Sequence, residues 1–316
     1  MPIALSEKQK ATLAKNEGIL RDACRIADLD AAERTIKRIQ SAFLHERSHF
    51  RVLRAKLWYY EAVLDSGNTS SALMGFEGIQ ARANKGTRIY LESSAFLGIC
   101  HLRLKKVDEA KEYIRFVVSS VNDITSESKR QQFQQRLIAR IEDECILSEL
   151  IGTDVSPLNV EDIHQRSIEL VQKSGDEVLE ALADSLPSTT SALICTVTEY
   201  SIKLMLPSDQ KRLPPPKPEI PKIQLGKKAR AALKRIGWRT FCDQQSNVYK
   251  LWSKGVPKVF NEGYFSSSIV TTLAEWRIGI PQLAAGLVAT AMKFGCEEFC
   301  SQFKPEGLMI PPSEKG

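Results

Sequence analysis

Ala95-Phe96-Leu97-Gly98-Ile99-Cys100, a turn at Lys105-Lys106-Val107-Asp108, and then Glu109-Ala110-Lys111-Glu112-Tyr113-Ile114 form the stretch that decides the fold. On both sides of the turn apolar residues recur at helical spacing, which predicts one helix from about Thr87 to Leu104 and a second through Val118. Gly98 and Ala110 are small, so two helices crossing there approach closely while Leu97, Ile114 and Val117 fill the seam. Upstream the layout repeats. A helix from about His49 to Leu64 breaks at Asp65-Ser66-Gly67-Asn68 and resumes at Thr69. Before it, Leu13, Ile19, Leu20, Cys24 and Ile26 mark a helix that reopens at Leu29-Asp30.

Three hairpins in succession make a repeat array. The Leu97-Gly98 pair on a first helix, with Ala110 on the second helix twelve residues after the glycine, resembles a tetratricopeptide repeat. Ala72 and Phe76, then Ala32 and Ile36, take the second-helix positions of the earlier hairpins, with Tyr60 and Leu20 where glycine stands in the third. Ala32, Ala72 and Ala110 lie 40 and 38 residues apart, whereas the family period is about 34. The resemblance covers roughly residues 8–124 and implies a superhelix with a concave groove that binds peptides or partner helices.

Further helices follow. Phe133, Leu137, Ile138, Ile141, Cys145 and Leu150 mark one ended by Gly152; Val160–Gln172 and Asp176–Leu186 give two more; Ser188–Leu206 reads as a buried closing helix. The stretch Pro207–Lys222 then holds six of the fourteen prolines. Proline fixes φ and lacks an N–H, so this segment is expected to be extended: a semi-rigid spacer, or otherwise a ligand for an SH3-type domain. Beyond it, Lys227–Leu251 reads as a helix or a broken pair, and Ile269–Trp276 and Pro281–Phe303 as two more helices. Trp238, Trp252 and Trp276 suffice for a small core. The expected architecture is all-α: a repeat domain over residues 1–206, a linker over 207–222 and a small helical domain over 223–316.

Charge sharpens that division. The 316 residues carry 44 Lys and Arg against 38 Asp and Glu, and all of the net +6 lies in residues 225–316. Between 201 and 240 eleven cations face only Asp209 and Glu219. Lys227, Lys228, Arg230, Lys234, Arg235 and Arg239, beside Trp238, are therefore the candidate residues for an acidic protein partner or an anionic membrane surface. Nucleic acid is disfavoured because no reading module accompanies the charge. The plain alternative is a helix docked on an acidic face of the same chain. Seven scattered cysteines, odd in number, do not make a disulfide framework, so reduced thiols and a cytoplasmic location are expected. The start of the chain lacks the layout of a secretory signal. The apolar run Ile278–Met292, rich in small residues, is short for a membrane span and fits either a core helix or a membrane contact.

Catalytic patterns are sparse. His45-Glu46-Arg47-Ser48-His49 is an HExxH string; on a helix both imidazoles could hold zinc with Glu46 as general base. The third ligand is missing from any motif, Glu61, Glu77 and His101 being candidates by chain distance alone, and Arg47 puts a cation inside the string. A solvated junction between hairpins is the preferred reading. Cys296 and Cys300 are four apart and could form half a metal site or a redox pair, against two buried thiols beside Phe294 and Phe299. No phosphate loop, nucleophile elbow or calcium loop occurs, and His101 and His164 remain as the other possible bases. The sequence thus favours a non-enzymatic, cofactor-free protein-binding scaffold or regulator, with a membrane-acting effector and a zinc hydrolase as rivals. Were Cys100, His101 and Lys105 to line a closed interior, the groove would be in question.

Overall fold

The computed structural model describes residues 5–152, 157–205, 207–211, 220–242, 246–254, 263–302 and 307–308, and among them every regular element is helical, with no strand. Packing divides the chain into two compact units, neither continuous in sequence. One comprises Met1–Ile138, Lys203–Arg212 and Gly307–Gly316; the other comprises Ala139–Ile202 and Leu213–Glu306.

The first unit is built on three helical hairpins: α1 (Glu7–Arg25) with α2 (Leu29–Ala42), α3 (Phe50–Asp65) with α4 (Thr69–Gln80), and α5 (Arg88–Arg103) with α6 (Val107–Ser119). Each helix packs on the next, and α1, α3 and α5 also pack in sequence on one another. The hairpins share one turn. Its middle residue, Ala27, Gly67 or Lys105, has positive φ (61°, 91° and 61°), and those residues are again 40 and 38 apart. Asp28 and Asn68 then cap the second helices by accepting from Ala31 and Ser71 backbone N–H groups. Ala32, Ala72 and Ala110 are all fully buried.

Gly98 meets Tyr113 and Ile114 as its size requires, an added Cβ lying 3.2 Å from Tyr113 Cβ. In the second hairpin the large residue and the small one have changed helices. Tyr60 occupies the glycine position, and Gly75 on α4 makes room for its ring, which would lie 2.3 Å from a Cβ there. Between hairpins, Phe76 of α4 stacks on Phe96 of α5 with centroids 4.5 Å apart. Non-glycine residues at positive φ cost about 1 kcal/mol. Lys105 is exposed, so Lys105→Gly is expected to raise stability by about 0.5–1 kcal/mol in urea unfolding, net of the extra freedom glycine gives the unfolded chain.

Helix α7 (Glu127–Leu150) begins in the first unit and ends in the second. The second unit continues with α8 (Val160–Gln172), α9 (Gly175–Asp184) and α10 (Thr189–Lys203). Helix α11 (Pro207–Gln210) is a single helical turn of the first unit. Then come α12 (Lys222–Cys242), α13 (Asn247–Trp252), α14 (Tyr264–Glu275), α15 (Pro281–Phe294) and α16 (Cys296–Gln302).

Several expectations are corrected here. The C-terminal helices do not pack as a separate small domain: α12 lies on α9, and α15 lies on α8 and α9. The reason is α15, whose residues Leu283 to Ala291 are buried on every side and so need cover from more helices than the C-terminal region supplies. The run Ile278–Met292 is thus core, and among the described residues no helix is long and apolar enough to cross a membrane. The expected helix 281–303 is two, parted at Gly295, whose φ of 74° no L-residue adopts readily. Pro207 opens a helical turn instead of extended chain, since proline is tolerated at the first helical position; residues 212–219 of the expected linker lie outside the described residues. Helix α10 is buried in part, at Thr190, Ile194, Val197, Ser201 and Ile202. The expectation of reduced thiols fails at two positions, because Cys242 at the end of α12 is disulfide-bonded to Cys300 on α16, while Cys24, Cys100, Cys145 and Cys195 are free thiols.

Candidate functional site

The site that stands out is a peptide-like contact within the first unit. Helix α3 presents Leu57, Trp58 and Leu64 to the core, and among them Glu61, only 8% exposed. The Leu308 backbone N–H donates to Glu61 Oε1 at 2.6 Å, and the Leu308 side chain is 1% exposed. Beside it Gly307 lies flat against the carboxylate: a Cβ there would sit 3.1 and 3.2 Å from the two oxygens. A buried carboxylate accepting a backbone N–H makes a charge-assisted hydrogen bond, about twice as strong as a neutral one. Glu61 also acts on Cys24 of α1. Burial first, and then the Glu61 charge, push the Cys24 thiol up to about 12, so it stays protonated. The arrangement is a slot that holds one main-chain N–H, leaves little room at the preceding residue and takes in an apolar side chain.

Sequence reasoning named Glu61 only as a distant zinc ligand and read residues 307–308 as tail. The available signal was a carboxylate on the apolar stripe of α3, which a helix buries only when something pairs with it.

The HExxH string does not lie on a helix. His45 to Ser48 form turns between α2 and α3, and His49 is the N-cap of α3, its Nδ1 accepting from the Arg51 N–H at 3.3 Å. Glu46 accepts from Gln9 Nε2 at 3.1 Å instead of facing a shared metal position. Burial, and next the Arg51 charge, hold the His49 imidazole below its ordinary pKa. Among the described residues no group of three His, Cys, Asp or Glu side chains is placed to hold a metal ion. His101 is half-buried and stacks on Tyr113 at 5.3 Å, while Cys100 is fully buried and Lys105 is exposed. Helix α5 is buried on nearly every side, so a groove is not open along it. His164 Nδ1 lies 3.5 Å from Ser266 Oγ, but Ser266 is fully buried, which leaves a substrate no approach to the hydroxyl.

The candidate cations on α12 are not a uniform free face. Lys228 is paired with Glu142 and Arg235 with Asp143, the latter at 2.9 Å and buried, both acids lying on the second half of α7. Lys222 pairs with Asp184 at 2.7 Å across an exposed surface. Lys227 is exposed, Lys234 is half-buried, and burial lowers the pKa of Arg230. The Arg239 side chain lies outside the described residues, as does that of Cys296; Cys300 has its partner in Cys242, with Trp238 Nε1 donating to the Cys300 carbonyl at 3.0 Å. Spread over the chain, Lys227 to Arg235 are thus partly internal ties. No known protein family, curated protein or solved structure matches the chain.

Proposed function

We propose that this chain is a non-enzymatic protein-binding scaffold whose tetratricopeptide-like array recognises an extended segment of a partner at Glu61. The observation that carries the reading is the Leu308–Glu61 contact, in which one residue distant in sequence is held by its main-chain N–H and its buried apolar side chain. Helical repeats suit this task because each hairpin adds surface without changing the rest of the stack. The partner segment would place glycine and then a leucine-like residue in the slot, as Gly307 and Leu308 do.

The residues in the slot also supply the test. In Leu308→Asp the chain's own segment no longer fits, and the full-length variant is expected to bind a synthetic peptide of residues 303–312 in fluorescence anisotropy. Wild type is expected to bind it at least tenfold more weakly, since its slot is filled. Adding Glu61→Gln to the variant is expected to cost a further ten- to hundredfold, as a hydrogen bond to a charged group contributes about 1.5–3 kcal/mol. Equal binding by all three proteins, or no binding by Leu308→Asp, would overturn the reading.

A further inference from the structure

The connection from α2 to α3 lines part of an open cleft of about 340 Å³. Lys37 and Ser41 come from α2, Leu44 and Arg47 from the connection, Lys56 from α3 and Arg82 from just beyond α4. Four cations from four segments therefore meet in a space the size of a small ion and its surroundings. The lining holds no carboxylate and no aromatic ring. Arg34 and Arg38 line the adjoining shallow surface, which shares Lys37 and Ser41 with the cleft.

Three of the four charges are not neutralised from within. Lys37 pairs with Glu33 at 2.6 Å on the exposed face of α2. Among the described residues no carboxylate lies within ion-pair distance of Arg47, Lys56 or Arg82; Arg82 donates to the Gly78 carbonyl at 2.7 Å. Lys56 records the cost of that crowding. Burial first, and then the charges of Arg82 and Arg47, lower its pKa. Like charges held together without counter-charge are relieved by an anion.

We propose that this cleft is a binding site for a phosphate monoester carried on a protein segment, a phosphoserine or phosphothreonine side chain. A dianionic phosphate matches the convergence of Arg47, Arg82 and Lys56, with the Ser41 hydroxyl and the guanidinium forks as donors. Leu44, 52% exposed at the rim, offers apolar contact to the residue next to the phosphate. A nucleic acid would want a ring to stack a base and a basic track longer than one cleft, and the lining has no ring. The site is separate from the Glu61 slot, so failure of one leaves the other standing.

The experiment uses the full chain and calorimetric titration with four probes: inorganic phosphate, a degenerate peptide library with a central phosphoserine, the same library with serine, and single-stranded RNA. A vesicle arm carries phosphatidylinositol phosphates. The phosphoserine library is expected to bind at least tenfold more tightly than the serine library and than inorganic phosphate. Arg47→Glu and Arg82→Gln, both at exposed positions, are each expected to weaken that binding about tenfold with an unchanged melting temperature. Should either variant fold poorly, the other decides. The proposal is overturned by equal binding of the two libraries, by variants that bind as wild type, or by a response to phosphate alone, which would mean an adventitious ion only. Tighter binding of RNA or vesicles through the same residues would overturn it as well.

Discussion

Gly226→Ala is expected to destabilise the second unit by about 3 kcal/mol or more, although alanine is the better helix former by roughly 1 kcal/mol. A Cβ at residue 226 would stand 2.0 Å from the Leu179 carbonyl oxygen and 2.6 Å from its carbon. Those are backbone atoms of α9, so no side chain can swing aside; the helices must separate where α12 and α9 cross. Gly286, by contrast, meets only the end of the Leu182 side chain, and an added methyl there can be absorbed in part by a rotamer change. The measurement is urea unfolding followed by circular dichroism. Gly18, with nothing within 4 Å of its missing Cβ, is the control, and Gly18→Ala should gain stability where Gly226→Ala loses it. A Gly226→Ala protein as stable as wild type would mean that α9 and α12 do not cross at Leu179.

The second large effect is expected at Asp143. Its carboxylate receives Arg235 Nε at 2.9 Å with side chains only 10% and 4% exposed. In Asp143→Ala the guanidinium stays buried with that carboxylate gone, and breaking a buried pair in this way costs about 3–5 kcal/mol. The exposed pair of Lys222 and Asp184 makes the contrast, and Asp184→Ala is expected to move the unfolding midpoint little. If Asp143→Ala and Asp184→Ala unfold at the same urea concentration, α12 is not tied to α7 through this pair.

How much of this was legible in the sequence follows from what each element depends on. Helices α3, α5, α6 and α8 could be read almost to their ends, and α4 at its start, because caps such as Asn68 and Thr87 and the glycine at 67 act locally. The third hairpin was legible down to its contact, since Gly98 and Ala110 keep their small sizes at spaced positions. The second was not, because its glycine stands at 75 on the opposite helix and only the crossing shows that it serves Tyr60. The proline-rich stretch looked like a domain boundary. Packing overrode that punctuation, since a helix apolar on all sides, α15, finds its cover in α8 and α9 wherever they lie in the chain.

The fate of charge depends on packing for a related reason. Eleven cations between 201 and 240 stand out along the sequence, yet Lys228 and Arg235 meet acids 86 and 92 residues away. The cleft cations do the opposite. Arg47, Lys56 and Arg82 are scattered through a neutral 224 residues and become a concentration of charge only when α2, α3 and α4 are stacked. The Glu61 slot needed two distant stretches of the chain, with a separation of 247 residues between donor and acceptor.

That two units share one chain in alternation governs the order in which the protein can be made. A ribosome delivers the three hairpins first, and local contacts let each close as it emerges. The second unit cannot follow in the same way. Its residues 139–202 wait for 213–306 before α8 and α9 gain cover, and during that interval their apolar faces are bare. Residues 307–308 reach Glu61 only after the second unit's last residues have been delivered. The hydrogen bond at Glu61 is therefore a late event in biogenesis, and a chain cut short after 306 would emerge without the Leu308 contact.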